Sequence, residues 1–573
     1  MDIKIFSAVR YHIYFLLSCL NFKSMSKTLV HLFFIFILIG CSSAAPVETP
    51  KSTTYEQLVE LFKTWREFQK PVLKEGVPDY SIAAMQRQHE ELKNWQQKLQ
   101  NFDTTHWPIN HQVDWYILYA EMNGLDFDHR VLRTWERDPA FYKTLWMDRS
   151  DVPGHEGPTH SAIIDLWKYQ FPLMNESKEK LVKELRVIAP LNEQAKVNLT
   201  GNAKDLWIAG IRDIKTQSQD LESILAQPGV NDQPDLVAVI KESIESTNSF
   251  VTWLEKESAS KTGPSGIGKE NYTWYQKNVH LVPLTWADEV LLLKRELARA
   301  WTALKLEEHR NRNLPELKAA DSPEAFSALT ERSAKSLLNF LEKDDIVTVR
   351  EYFEPALREH LGSFVPADKR NFFIITLHHD PRPLYSHFYH WFELAQMDKE
   401  PHASEIRRGP LLYNIFDSRN EGTATAVEEM FMQAGLYNDD PRVKEIVYIM
   451  IAQRAARGLG SLYAQANEMT MEEAGKIHSD YTPRGWMKVE KELLLFEQHL
   501  YLRQPGYGTS YITGKYLLES AMAEFARMKE SQQQPFQVKD FFDQLNAMGS
   551  IPTSLGHWEM TGDKSKLNEA VGR

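Results

Sequence analysis

The spacing of the apolar residues restricts the fold of this sequence more than any other feature. Beyond Tyr55 they recur mostly at intervals of three and four, as between Leu58 and Trp65 and again over 290–301. This is the period of an amphipathic helix. Alternating, strand-like runs are scarce, and the best candidate, 372–377, fits a buried helix equally well. We therefore predict a large all-α protein.

Breaks in the helical pattern indicate how the chain is organised. With 573 residues, it exceeds the size at which one hydrophobic core stops growing. Gly, Pro and Ser cluster over 258–268, which is the strongest candidate for a lobe boundary. We predict a two-lobed helical domain over 55–562 and a polar tail over 563–573.

Charge and cysteine content exclude several classes of function. The formal net charge is −12, which does not provide the positive field that nucleic-acid binding requires, so we expect no nucleic-acid partner. The two cysteines, Cys19 and Cys41, both lie near the N-terminus. The body of the protein therefore has neither disulfides nor thiolate chemistry, and any metal site in it must use His, Asp and Glu.

The first 41 residues resemble a bacterial lipoprotein signal. Counting from Met25, a lysine is followed by an apolar run, and the run ends in the tetrapeptide Leu38-Ile-Gly-Cys41, which resembles a lipobox. We predict that translation starts near Met25, that Cys41 is lipidated, and that 42–54 is a flexible tether. The protein would then be lipid-anchored in the bacterial cell envelope. There are two alternatives. One is an ordinary cleaved signal in which the cysteine occurs by chance, and the other is an anchor that includes the upstream apolar stretch.

The densest group of possible metal ligands lies within 377–393. His387 and His390 are three residues apart, and Glu393 follows after three more, so neighbours in this series share one side of a helix predicted from Pro381 towards Met397. Imidazoles and carboxylates are ligands of Zn²⁺. Histidines among so many aromatic residues are also common as hydrogen-bonded members of a core.

A second acidic element follows at 416–430. Glu421 and Glu428 are seven residues apart, about two helical turns, so both carboxylates project from one face. A solvated acidic face is the alternative.

Three further side chains suit roles in substrate binding. Arg454 and Arg457, three residues apart, could pair with buried carboxylates, hold a substrate carboxylate or form ordinary surface salt bridges. Tyr511 follows a Pro-Gly turn, where its hydroxyl could donate to an oxyanion or cap a helix.

The order of several motifs resembles the bacterial domain of unknown function 885 family. The motifs are Gly266-Ile-Gly-Lys-Glu-Asn-Tyr-Thr-Trp-Tyr, Arg419-Asn-Glu-Gly-Thr-Ala-Thr-Ala-Val-Glu-Glu, Arg454-Ala-Ala-Arg, Gln504-Pro-Gly-Tyr-Gly-Thr-Ser-Tyr-Ile-Thr-Gly-Lys and Phe541-Phe-Asp-Gln-Leu-Asn-Ala-Met-Gly-Ser-Ile-Pro. The resemblance implies a two-lobed, zinc-peptidase-like helical fold with a central cleft. It also implies that Glu421 is a metal ligand and that Glu428 matches a second acidic position. The HExxPGH motif of that family is absent at the corresponding place.

These observations predict a zinc site formed by His387, His390 and Glu421. Asp380, Glu393 or Glu428 would act as the base, Tyr511 would bind the oxyanion, and Arg454 or Arg457 would bind a substrate carboxylate. The expected activity is that of a metal-dependent peptidase with an atypical active site. The alternative is an inactive pseudoenzyme that binds peptides or small envelope ligands.

Overall fold

The computed structural model describes residues 53–489 and 491–572, and helices dominate this part of the chain. The all-α prediction is confirmed. The signal segment with Cys41 and the tether as far as Ser52 lie outside the described residues. The helices are α1 (Tyr55–Phe68), α2 (Ile82–Gln100), α3 (Ile109–Phe127), α4 (Thr134–Arg137), α5 (Asn175–Leu185), α6 (Ile188–Asn198), α7 (Lys204–Leu225), α8 (Pro234–Ser258), α9 (Lys269–Asn278), α10 (Trp286–Arg310), α11 (Pro323–Lys343), α12 (Phe353–Arg358), α13 (Phe372–His379), α14 (Arg382–His387), α15 (Tyr389–Lys399), α16 (Asp417–Ala434), α17 (Val443–Gln465), α18 (Met471–Tyr481), α19 (Lys491–Arg503), α20 (Tyr507–Ser531), α21 (Val538–Ala547), α22 (Thr553–Thr561) and α23 (Ser565–Val571).

Four two-residue strands accompany the α-helices in the described chain. β1 (Leu73–Lys74) pairs antiparallel with β2 (Val77–Pro78), and β3 (Leu145–Trp146) pairs parallel with β4 (Ile164–Asp165). The second pair closes the base of a long irregular loop over 147–163, which reaches the candidate site.

Local sequence signals explain where several helices begin. At the start of α10, Thr285 and Asp288 each accept a hydrogen bond from the backbone N–H of the other, and Thr470 and Glu473 do the same at the start of α18. Such capping boxes satisfy N–H groups that have no partner within the helix. The ambiguous segment 372–377 is also helical, because Asn371 caps α13.

The helix predicted from Pro381 towards Met397 is wrong as one continuous element. The chain instead forms α14 and α15, separated at Phe388. The Ser386 hydroxyl donates to the Arg382 carbonyl at 2.9 Å, a local bond of the kind that bends helices. His387 therefore ends one helix, and His390 lies in the first turn of the next.

Residues from Thr53 onward form one compact unit. The main apolar core is formed mainly by side chains of α1 to α3 and of the chain from residue 267 to the last helix. Two smaller apolar clusters lie within 77–254. The segment 258–268, predicted to be a lobe boundary, connects α8 to α9 within this unit, and the division into two lobes remains a prediction.

The segment predicted to be a polar tail contains α23, in which Leu567 is fully buried. Within the part of the chain that the structure describes, no helix has both the length and the apolar character needed to cross a membrane.

The backbones of α16 and α20 touch where two glycines face each other. A Cβ atom built on Gly422 would lie 2.5 Å from the Gly514 Cα, and one built on Gly514 would lie 2.6 Å from the Gly422 Cα and would overlap the Ser418 carbonyl. No residue with a side chain fits there. This contact brings the N-terminal turns of α20 against the acidic face of α16.

We expect Gly514→Ala to destabilise the protein, because the added methyl group meets backbone that cannot move aside. The free energy of unfolding should fall by about 1–3 kcal/mol or more, measured by urea denaturation. Gly475→Ala in α18 is the matched control, since its Cβ would lie 3.5 Å from a leucine methyl carbon, an ordinary contact. Equal stability of the two variants would contradict the close approach of α16 and α20.

Candidate functional site

His387, His390 and Glu421 converge in the interior of the protein. One ligand atom from each lies within 4.8 Å of the others. The Glu421 Oε2 atom is 3.3 Å from His390 Nε2 and 3.8 Å from His387 Nε2. Ligand atoms of a tetrahedral zinc ion lie about 3.3 Å apart, given zinc–ligand bonds of about 2 Å. The three groups are thus close to the spacing that a metal ion requires, and we call them the His–His–Glu cluster.

Three separate helices supply the His–His–Glu cluster. His387 is the last residue of α14, His390 lies at the start of α15 and Glu421 lies near the start of α16. The two imidazole rings are 5.0 Å apart and nearly perpendicular, at 86°. The break between α14 and α15 thus allows both rings to point towards Glu421.

Neighbouring side chains contact two members of the cluster, His387 and Glu421. Glu428 Oε1 lies 2.9 Å from His387 Nδ1, and Arg454 Nη2 lies 2.6 Å from the same Glu428 oxygen. The Tyr507 hydroxyl donates to Glu421 Oε1 at 2.6 Å. Both Glu421 and Glu428 are buried, so the solvated acidic face considered from the sequence is excluded.

The two histidines differ in protonation. Burial, and next the Arg454 guanidinium, hold the pKa of His387 well below its usual value, so this ring is neutral. Burial also acts against a charge on His390, but the Glu421 carboxylate outweighs it and raises the pKa of His390 to about 9. Without a metal, an imidazolium therefore pairs with Glu421.

The two arginines expected to bind substrate are not available to it. Arg454 is fully buried against Glu428, and Arg457 is buried and pairs with Glu497. Of the roles left open from the sequence, pairing with buried carboxylates is the one observed. The Tyr511 ring centroid lies 3.9 Å from the Arg457 guanidinium carbon, and the plane of this ring is nearly parallel to that of His387, at 8°.

Two of the carboxylates proposed as the catalytic base form ion pairs with arginines. Glu393 pairs with Arg419, and Asp380 pairs with Arg382 at 2.8 Å. Glu393 lines a separate pocket of about 280 Å³ that also includes Arg407. Glu428, the third candidate, pairs with Arg454, but burial raises the pKa of Glu428 to about 8. Of the three, Asp380 and Glu393 are therefore not free to take a proton from a bound water.

The structure adds two acidic residues that the sequence analysis missed. Asp151 and Glu156 lie on the 147–163 loop, and both are partly buried. The Tyr507 hydroxyl is 2.9 Å from Glu156 Oε1, and the Asp151 carboxylate interacts electrostatically with Glu421. The dipeptide His155-Glu156 within a Gly- and Pro-rich loop was the available signal.

This loop lines a cleft of about 630 Å³. Val152, Gly154 and His155 line the cleft, whereas Asp151 and Glu156 interact with the cluster side. The walls of the cleft also carry the aromatic side chains of Tyr80, Trp135, Phe141 and Tyr275. A ligand in the cleft would therefore contact the loop that carries Asp151 and Glu156.

Comparison with known proteins identifies the fold. No protein-family model and no curated protein matches the chain. Two solved structures share its fold. A candidate lipoprotein of unknown function from Shewanella oneidensis aligns with a TM-score of 0.64 at 14% identity, over 88% of this chain and 99% of that one. A candidate lipoprotein from Colwellia psychrerythraea aligns with a TM-score of 0.59 at 13% identity, over 89% and 99%.

At these identities the similarity concerns the fold alone. The resemblance to the domain of unknown function 885 family, and the zinc-peptidase chemistry that it implies, therefore stay predictions.

The ion pair between His390 and Glu421 predicts a pH dependence of stability in the metal-free protein. The pKa of His390 is about 9 in the folded state, against about 6.5 for an unfolded histidine. The stabilisation is therefore complete below about pH 6.5 and is lost as the pH rises through about 9. We expect it to contribute about 3 kcal/mol, the free energy of such a shift.

Urea denaturation of chelator-treated protein between about pH 6 and 9.5 tests this. His390→Gln should show a smaller fall in unfolding free energy than the wild type, and the difference between the two curves isolates this one group. His309→Gln, at an exposed position, should follow the wild type. A fall in the unfolding free energy of His390→Gln as large as that of the wild type would contradict the raised pKa of His390.

Proposed function

We propose that the protein is a bacterial envelope lipoprotein whose His–His–Glu cluster binds zinc and hydrolyses peptide bonds. The observation that supports this most strongly is the convergence of two imidazoles and one carboxylate, from three helices, within 4.8 Å. Two histidines and one glutamate are an established ligand set of catalytic zinc sites, which keep a fourth position open.

The surrounding side chains fit such an ion. Zinc binding through His387 Nε2 requires a proton on Nδ1, and Glu428 Oε1 lies 2.9 Å from that atom, with Arg454 Nη2 at 3.2 Å from it as a competing donor. A carboxylate behind a ligating imidazole fixes the tautomer and orients the ring. The hydrogen bond from Tyr507 likewise orients Glu421. When bound, zinc would supply a Lewis acid that activates water and polarises a carbonyl group.

Within this proposal, Tyr511 donates a hydrogen bond to the developing oxyanion. Burial raises the pKa of Tyr511 well above its usual value, so the phenol keeps its proton. Arg457, which lies against the Tyr511 ring, adds positive charge nearby. Arg454 and Arg457 act as buried charge partners here, and a substrate carboxylate would need another group.

A catalytically inactive peptide- or envelope-ligand-binding protein is the second candidate. The observation that favours it is that the cluster forms its own charge pair without metal, since an imidazolium on His390 pairs with Glu421. His390 and Glu421 are also 0% and 1% exposed, so a substrate does not reach them in this conformation. In this alternative the cleft of about 630 Å³ is the binding site.

Zinc content distinguishes the two candidates. We expect the purified full-length protein, dialysed without chelator, to contain about one zinc ion per chain by elemental mass spectrometry. His390→Gln and Glu421→Gln should each lose this zinc, because two remaining ligands hold the ion weakly.

The matched control is His378→Gln. His378 is also a fully buried imidazole, but it bonds to the Val365 N–H and the Ile374 carbonyl, away from the cluster. This variant should keep its zinc. Wild-type protein without zinc after supplementation would rule out the metallopeptidase and leave the binding protein.

Lipid anchoring is supported by the leader that ends in Cys41 and by the description of both structural relatives as lipoproteins. We expect the wild type expressed in bacteria to sediment with membranes. Cys41→Ser removes the acylated thiol, so the variant should appear in the soluble fraction. Ser42→Ala, which keeps the thiol, is the control. Membrane retention of Cys41→Ser would favour an apolar anchor over a lipid.

A further inference from the structure

The carboxylates around the His–His–Glu cluster differ in whether a cation neutralises them. Glu428, Glu393 and Glu497 each pair with a buried arginine. Asp151 and Glu156 have no arginine or lysine partner among the ion pairs of the described residues. These two loop residues are therefore candidate proton carriers that no guanidinium fixes.

Hydrogen-bond geometry at Tyr507 distinguishes Glu156 further. The Tyr507 oxygen is 2.6 Å from Glu421 Oε1 and 2.9 Å from Glu156 Oε1. A phenol has one hydroxyl proton, and the shorter contact takes it. The contact with Glu156 is then a hydrogen bond only if Glu156 carries a proton and donates it to the phenol oxygen. A protonated Glu156 would thus lie two hydrogen bonds from a cluster ligand.

The residue after Glu156 is fixed to the helical core. The backbone N–H of Gly157 donates to Gln504 Oε1 at 2.7 Å, and Gln504 Nε2 donates to Asp417 Oδ2 at 2.7 Å. Gly157 has φ of +81°, a conformation that glycine adopts without strain. The base of the loop is closed by β3 and β4. Glu156 is thus a positioned residue, although it lies on an irregular segment.

We propose that Glu156 is the catalytic acid–base residue of this centre, supplied by a loop in place of the glutamate that HExxH helices carry. This rests on the proposed zinc-dependent peptide hydrolysis. An O–H bond of the attacking water breaks and its proton passes to a Glu156 carboxylate oxygen, while the water oxygen bonds to the carbonyl carbon and the π pair of the C=O bond moves onto the carbonyl oxygen. When that pair re-forms the C=O bond, the C–N bond breaks, and Glu156 returns the proton to the leaving amine nitrogen.

The electrostatic surroundings of Glu156 suit a proton carrier. Burial, and next the Asp151 carboxylate, raise the pKa of Glu156 to about 8. Both protonation states are therefore populated near neutral pH, which is the condition under which general acid–base catalysis is most efficient.

Glu156→Gln is a sharp probe of this role. The amide is isosteric with a protonated carboxyl group and can still donate an N–H to the Tyr507 oxygen, but it cannot take up and release a proton. Asp148→Asn is the matched control, because it makes the same chemical change at an exposed position of the same loop. The measurements are zinc content, cleavage of a defined mixture of synthetic peptides by mass spectrometry, and infrared difference spectra of metal-free protein.

We expect Glu156→Gln to keep about one zinc per chain, to lose at least about 100-fold in cleavage rate, and to lose the carbonyl stretch of one protonated carboxylic acid. Asp148→Asn should match the wild type in zinc content, in cleavage rate and in its infrared spectrum. Cleavage by Glu156→Gln at the wild-type rate would overturn the role of Glu156 and leave the proposed function standing. Loss of zinc by Glu156→Gln would make Glu156 a ligand and also overturn it. Wild-type protein that binds no zinc, or binds zinc and cleaves nothing, would overturn both proposals.

Discussion

The contact between the backbones of α16 and α20 is the constraint on which the centre depends. Two helices normally keep about 8–10 Å between their axes because side chains separate them. At Gly422 and Gly514 no side chain intervenes. The turns next to this crossing carry Glu421 on one helix and Tyr507 on the other, so the short phenol–carboxylate bond is a consequence of helix packing. The position of Glu421 is thus determined by the core as well as by its own partners.

A second constraint is the cost of burying charge. Removing an unpaired carboxylate or guanidinium from water costs several kcal/mol, and this protein buries many of both around one point. Arg454 and Arg457 offset the charge of Glu428 and Glu497, while an imidazolium on His390 offsets that of Glu421. The carboxylates of the 147–163 loop are left without a permanent cation. Such an arrangement favours binding of a positive ion or retention of protons.

The sequence predicted the helical fold because helix periodicity is a local property, repeated over hundreds of residues. It also placed His387, His390 and Glu421 in one hypothesis, the two histidines from their spacing and Glu421 from the family resemblance. The sequence did not predict the features whose geometry depends on segments far apart in the chain. The break at Phe388 interrupts a continuous helical pattern, and the approach of Glu156 depends on a loop more than 200 residues away in sequence. No periodic pattern encodes either feature.

The break at Phe388 separates the supports of the two imidazoles. In a continuous helix, two histidines at fixed spacing move as one rigid body, and their separation follows from helix geometry. Here each ring moves with its own helix, so the angle between α14 and α15 sets the distance between them. Substitutions in the aromatic packing around Phe388, which includes Tyr385, could then tune the affinity for an ion without altering any ligand. Packing residues alone would then set the geometry of the proposed metal site.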